Sequence, residues 1–254
     1  MAGKPLILIS NDDGYQAQGI QELAQLMTRL GDVVVVAPEG ARSGAACSIT
    51  SVVPVRLALI SQQPGLTVYS CSGSPVDCVK LALEQVVPRK PDLVVSGINH
   101  GDNLSCSLHY SGTVGAVLEA CMKGLPAVAF SLRTRDKECD FTPYFSAVLD
   151  ICQHVLAHGL PQETLLNVNF PQVSRLLGIS VCRMARGEWR SEWLPAQQPG
   201  EFTLSGYFVN LEPEAQDTDC WAVEHGMAAV SPLQLDMTSY AALPSLQPLN
   251  SVMS

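Results

Sequence analysis

The sequence predicts an α/β protein: a Rossmann-like, doubly wound, mostly parallel sheet that ends in a C-terminal β-hairpin arm and tail. Three observations carry this. Short, almost wholly apolar runs recur through the first half, as expected of strands covered on both faces. Segments with helical spacing stand between them. Polar turn clusters close the runs, so strand and helix alternate in the order of a parallel sheet wound on both sides.

In chain order, Leu6-Ile7-Leu8-Ile9 is a strand that stops at the turn formers Asn11-Asp12-Asp13-Gly14. Ile20, Leu23, Ala24, Met27 and Leu30 follow helical spacing and end at Gly31. Val33-Val34-Val35-Val36 is a β-branched strand closed by Ala37-Pro38. Ser74 caps the next helix, with Pro75 at its first position and Asp77 in its first turn. Leu93-Val94-Val95 is a strand that runs into Ser96-Gly97-Ile98-Asn99. A helix from about Ser111 to Lys123 and a strand at Ala127-Val128-Ala129-Phe130 follow. After about residue 175 the pattern loosens: Trp189, Trp193, Pro195, Pro199, Gly200 and the alternating Phe202, Leu204, Tyr207 and Val209 predict hairpin strands. Ala229 to Leu233 reads as a late strand, and the tail after Pro244 as mobile. The expected division is residues 1–180 as core and 181–254 as arm, late strand and tail, packing on the core and a neighbouring subunit.

Composition bounds the rest. Of 254 residues, 47% are hydrophobic and 15% charged, which describes a packed globular chain. Fifteen Lys and Arg against 24 Asp and Glu leave a formal net charge of −9, a balance that argues against general binding of duplex nucleic acid. No apolar run approaches the roughly 20 residues of a spanning helix, and no charged-then-apolar leader opens the sequence. Neither a membrane nor secretion is expected, and a cytoplasmic location is. The nine cysteines are irregularly spaced with no C-x-x-C pair, which suits small buried thiols better than disulfides or a zinc site.

Chemistry concentrates in four polar loops after predicted strands: Asn11-Asp12-Asp13-Gly14, Ser43-Gly44, Ser72-Gly73-Ser74, and Ser96 to Asn99 with the segment on to Thr113. Parallel α/β sheets bind ligands beyond the carboxyl ends of their strands, so these loops are expected to converge. The adjacent carboxylates of Asp12 and Asp13 repel unless a cation neutralises them or they point apart. By itself the cluster reads equally well as an Asx turn. With Ser43 and Asn99 adding neutral oxygens, the set suits one hard divalent ion per subunit, Mg²⁺ or Mn²⁺. Asp12 and Asp13 are also the candidate catalytic groups.

Tyr110-Ser111-Gly112-Thr113-Val114-Gly115 enters a helix and offers N–H groups and hydroxyls to an anion. Alone it reads as a capped helix with close-packed glycines. Beside a cation it becomes a phosphate cradle, and Asn11, Gly44, Asn99, Ser111, Gly112 and Thr113 are the candidate substrate contacts. A metal with an anion nest is the apparatus of phosphoester hydrolysis. His100 and His109 lie near enough to move a proton, whereas His154 and His158 read as a solvated helix face. No phosphate-loop, dinucleotide or nucleophile-elbow motif occurs in the sequence.

These residues resemble the SurE family, the stationary-phase survival proteins that act as metal-dependent 5′/3′-nucleotidases. The matching stretches are Leu6 to Ile20, Ala37 to Thr50, Gly73 to Leu83, Ser96 to Glu119, Leu166 to Pro171 and Thr218 to Thr238. The resemblance implies a divalent ion on Asp12, Asp13, Ser43 and Asn99, and phosphate contacts from Gly44 and Ser111-Gly112-Thr113. It also implies an arm and C-terminal part swapped between subunits, in a homodimer or homotetramer. The chain departs from the family at Ser10, Ser74 and Val76, and at Ser105, which replaces a glycine whose backbone angle serine resists. Residues 183–214 match least well.

The expected reaction is hydrolysis of a nucleoside 5′- or 3′-monophosphate to nucleoside and phosphate. Asp12 or Asp13 takes the proton of the attacking water. A covalent aspartyl-phosphate fits less well, since both carboxylates are committed to the ion and are adjacent rather than spaced D-x-D. One alternative is a metal hydrolase of another bond, such as an N-deacetylase, which would want histidines beside the acidic pair. Another is a metal- or nucleotide-binding module without turnover.

Overall fold

The computed structural model describes residues 3–134, 136 and 138–251; residues 252–254 of the expected tail and 1–2 of the expected core lie outside the described residues. The chain runs β1 (Leu6–Ser10), α1 (Gln18–Met27), β2 (Asp32–Pro38), β3 (Leu57–Gln63), β4 (Leu66–Cys71), α2 (Pro75–Leu81), β5 (Leu93–His100) and α3 (Gly112–Met122). It continues through β6 (Ala127–Leu132), α4 (Phe145–His158), β7 (Thr164–Phe170), β8 (Ile179–Val181), β9 (Gly187–Arg190), β10 (Trp193–Pro195), β11 (Phe202–Leu204) and β12 (Tyr207–Asn210). The last elements are α5 (Asp219–Glu224), β13 (Ala228–Gln234) and α6 (Leu243–Leu246).

Nine strands form one sheet in the order β3-β4-β2-β1-β5-β6-β7-β13-β8. From β4 to β7 every pairing is parallel, while β3 and β13 pair antiparallel with β4 and β7. The α/β class and mostly parallel sheet are as expected; β3, β4 and the antiparallel pairings of β3 and β13 were not legible beforehand. The strand period of two explains the two cores. Ile7 and Ile9 of β1 face one side with Ile20, Leu23 and Met27 of α1 and Val148 and Val155 of α4. Leu8, between them, faces Val79 of α2 and Val114 and Val117 of α3 on the other. Burying each such side chain contributes roughly 1.5–3 kcal/mol, which is why these strands are apolar throughout.

Helix starts follow the expected chemistry. Ser74 accepts the Asp77 N–H at 3.1 Å and Asp77 accepts the Ser74 N–H at 2.8 Å, a complete capping box behind Pro75. Ser111 caps α3 through the Val114 N–H at 3.1 Å.

The segment after 181 is divided. Strand β13 enters the main sheet between β7 and β8, whereas β9 with β12 and β10 with β11 make two separate hairpins. The described tail ends in α6 and a 3-10 turn. No helix of the described residues is long and apolar enough to cross a membrane. All nine cysteines are free and six are buried; Cys47 is exposed, against expectation, on a loop between β2 and β3 that rests on the start of the helix after Ser111.

Candidate active site

Strand β1 neighbours β2 on one side and β5 on the other, and the chain builds outward in both directions from this pair. Crevices at such reversals of strand order bind ligands. Asp12 and Asp13 follow β1, and Asn99 lies at the end of β5, so the expected cation ligands flank this crevice. A bulge between Ser96 and Asn99 interrupts the β5–β6 register there.

Asp12 is 5% exposed and accepts a short hydrogen bond from the Thr113 hydroxyl. Burial pushes its carboxyl up from the usual 3.8 to about 6; the Thr113 bond opposes this and the neighbouring Asp13 charge adds to it. Its environment therefore lacks positive charge, the condition a divalent cation would correct. Asp13 is half-buried, and its Oδ2 accepts the His100 N–H at 3.2 Å and stands 3.6 Å from His100 Nδ1. The far nitrogen of His100 lies 3.6 Å from Cys139 Sγ. Asn99 donates its amide to Gly101 O at 2.9 Å, and among the described residues Oδ1 has no hydrogen-bond partner.

The other loops close on this pair. Arg42 N–H donates to Asp12 O at 2.7 Å, which fixes the backbone one residue before Ser43. Ala46 N–H donates to Tyr110 O at 3.1 Å, and a Cβ on Gly115 would lie 2.2 Å from Ala46 O, so this loop rests on the start of α3. The Arg42 guanidinium reaches Ser72 O at 2.9 Å, and Ser74 Oγ reaches Ser48 O at 2.6 Å. Gly44 has φ +73° with open space where a side chain would be, which leaves its backbone accessible.

Convergence of the loops is therefore observed: Asp12 meets Gly112 and Thr113, Asp13 meets His100 next to Asn99, and the Ser43-Gly44 loop is tied to Asp12 through Arg42. Both ends of the Asn11 side-chain amide bond the backbone of Gly14, at 2.9 and 3.2 Å, so it braces the turn. His109 is exposed and, among the described residues, joins neither carboxylate. His154 and His158 lie exposed on α4, as expected. Cys139 beside His100 had no signal in the sequence, because only the fold brings the two together.

Among the described residues no three His, Cys, Asp or Glu side chains cluster as a metal site. Two adjacent carboxylates and a free amide oxygen fit a hard divalent ion, and the described residues offer no histidine set for zinc.

Residues 7–191 match the family described as survival protein SurE. The chain belongs to that family. The 5′-nucleotidase SurE of Phocaeicola vulgatus is 48% identical over 250 residues, covering 97% of both chains. That of Bacteroides thetaiotaomicron is 46% identical over 96% of this chain and 95% of its own. The crystal structure of the SurE protein from Aquifex aeolicus superposes with a TM-score of 0.83 at 34% identity, covering 97% of this chain and 100% of that one. Within this SurE chain, Ser105 sits at φ +50°. Its N–H donates to Asp219 and its hydroxyl to Ala185 O, both at 2.8 Å, so the residue absorbs a glycine-like angle while rooting the arm.

Proposed function

We propose that this chain is a divalent-metal-dependent phosphomonoesterase that hydrolyses nucleoside 5′- and 3′-monophosphates. The observation that carries the reading is the buried Asp12 carboxylate beside Asp13 at the start of α3: an under-compensated acidic pair next to an anion-binding helix end. The names of the SurE relatives support the same substrate class.

In this reading Asp12, Asp13, Asn99 and Ser43 would hold one cation per subunit, Mg²⁺ or Mn²⁺. When bound, such an ion supplies Lewis-acid polarisation of a phosphoryl oxygen and acidifies water. The chain's own groups do the rest. The first turn of α3, with Ser111, Gly112 and Thr113, stabilises charge on the phosphoryl oxygens, and Gly44 adds a backbone donor from the facing loop. Thr113 fixes the Asp12 rotamer. Asp12 or Asp13, the latter supported by His100, would take a proton from the attacking water.

Residues 1–180 would form the catalytic core and 181–254 the arm and tail of a cytoplasmic homodimer or homotetramer. Trp193, Leu194, Phe202 and Leu204 on the β10–β11 hairpin are each more than half exposed, which supports association through this arm.

Released phosphate is the test. Purified protein with a panel of nucleoside monophosphates should release phosphate with Mg²⁺ or Mn²⁺ and not with EDTA, and Asp12→Asn should abolish release. No release with any metal would leave a binding module.

A further inference from the structure

A cavity of about 800 Å³ opens between the loop after β5 and the arm. That volume suits a small organic ligand. It starts at Gly101, whose carbonyl holds the Asn99 amide, so it adjoins the candidate cation site along the same sheet edge. Trp189 and Phe208 wall the arm side. Their rings meet edge to face at 6.1 Å, and Trp189 Nε1 donates to Ser107 Oγ at 3.1 Å, which holds the indole in place.

Carboxylates and aromatic rings both line the cavity. Among the described lining residues Asp102, Asp136 and Glu224 stand against Arg133, which already pairs with Asp102 at 3.4 Å and Glu224 at 4.0 Å. The carboxylates offer acceptors to hydroxyl and amino groups, and Trp189 offers an aromatic face.

We propose that this cavity holds the nucleoside half of the substrate, with Trp189 as the platform for the base and the carboxylates as acceptors for the sugar hydroxyls. The arm then sets substrate choice. This rests on the phosphomonoesterase reading for the phosphate end only.

Two measurements test it and separate it from that reading. Adenosine carries no phosphate, so its binding to the full chain in EDTA, followed by calorimetry, is independent of hydrolysis. Wild-type protein should bind it, Trp189→Ala should weaken binding about tenfold, as loss of one base–aromatic stack does, and Trp189→Phe should retain most of it. Absence of adenosine binding, or equal affinity in Trp189→Ala, overturns the proposal. The second measurement is the ratio of kcat/KM for AMP to that for glycerol 2-phosphate, which Trp189→Ala should lower about tenfold through KM. Equal loss on both substrates would make Trp189 a packing residue and overturn it as well. If the wild type hydrolyses neither ester, the phosphomonoesterase reading fails, and the adenosine result still decides the cavity.

Discussion

Asp12 and Gly112 lie closer than any side chain at position 112 would allow: a Cβ there would stand 2.7 Å from Asp12 Cβ and 3.0 Å from its Oδ2. The same Cβ would meet Pro75 Cγ at 3.1 Å, so the starts of α2 and α3 and the turn after β1 share one point. Gly112→Ala gains about 0.4–1 kcal/mol from a stiffer unfolded chain, but overpacking of this kind costs about 1–3 kcal/mol, and the clash wins. We expect a folded protein by circular dichroism with at least about 100-fold lower kcat, since a misplaced reacting group costs about that much. Unchanged activity would mean that Asp12 need not sit where it does.

The pH dependence of the metal-free protein follows from Asp12, whose carboxyl stands at about 6 against the usual 3.8. A raised carboxyl binds its proton more tightly in the folded state. Its contribution is intact below 3.8 and is lost as pH rises through about 6, an effect on the order of 3 kcal/mol. In EDTA the urea midpoint of the wild type should therefore fall, relative to Asp12→Asn, as pH rises from about 3.8 to about 6, and added Mn²⁺ should reverse the fall by mass action. Parallel pH curves for the two proteins would contradict this.

Asp77 links the second helix to the loop that carries Ser43. Burial alone would push its carboxyl up, but hydrogen bonds from Thr50 and Ser74 outweigh that and hold it below the usual carboxylate range. Its support is therefore present above its ordinary titration range and lost as pH falls below that range through the lowered one. Asp77→Ala removes the acceptor of the Ser74 N–H at 2.8 Å and the Thr50 N–H at 3.1 Å. The expected cost is about 2 kcal/mol in urea unfolding, with a higher KM from the loosened loop. Asp77→Asn should recover part of both.

At position 105 two small terms oppose each other. Ser105→Gly relieves a left-handed angle, about 1–2 kcal/mol, and loses the hydroxyl bond to Ala185 O, about 1 kcal/mol. Thermal unfolding should move little. Ser105→Val keeps the angle, adds a branched Cβ and loses the bond, so a clear drop in Tm is expected. Equal Tm values for the two variants would show that the strain at Ser105 is not felt.

Local order was written in short stretches of sequence. The apolar runs of β1, β2, β5 and β6, the Ser74–Asp77 cap and the Ser111 start of α3 each depend on a handful of neighbouring residues, so period and capping chemistry alone disclose them. The candidate ligands were visible for a related reason: strand ends in a parallel sheet share one edge, so polar turns after those strands must meet.

What only the tertiary structure decided is which atoms of those turns face one another. Asn11 spends its amide on its own turn, a choice between bonding inward and outward that no pattern records. Asp13 meets His100 across 87 residues, and His100 meets Cys139 across 39, through the register of β1 on β5 and the chain path after β6. The cavity against Trp189 exists because a hairpin folds back on the loop after β5. Sequence period sets which face a residue takes; distance between faces is fixed only when the sheet and its covering helices pack.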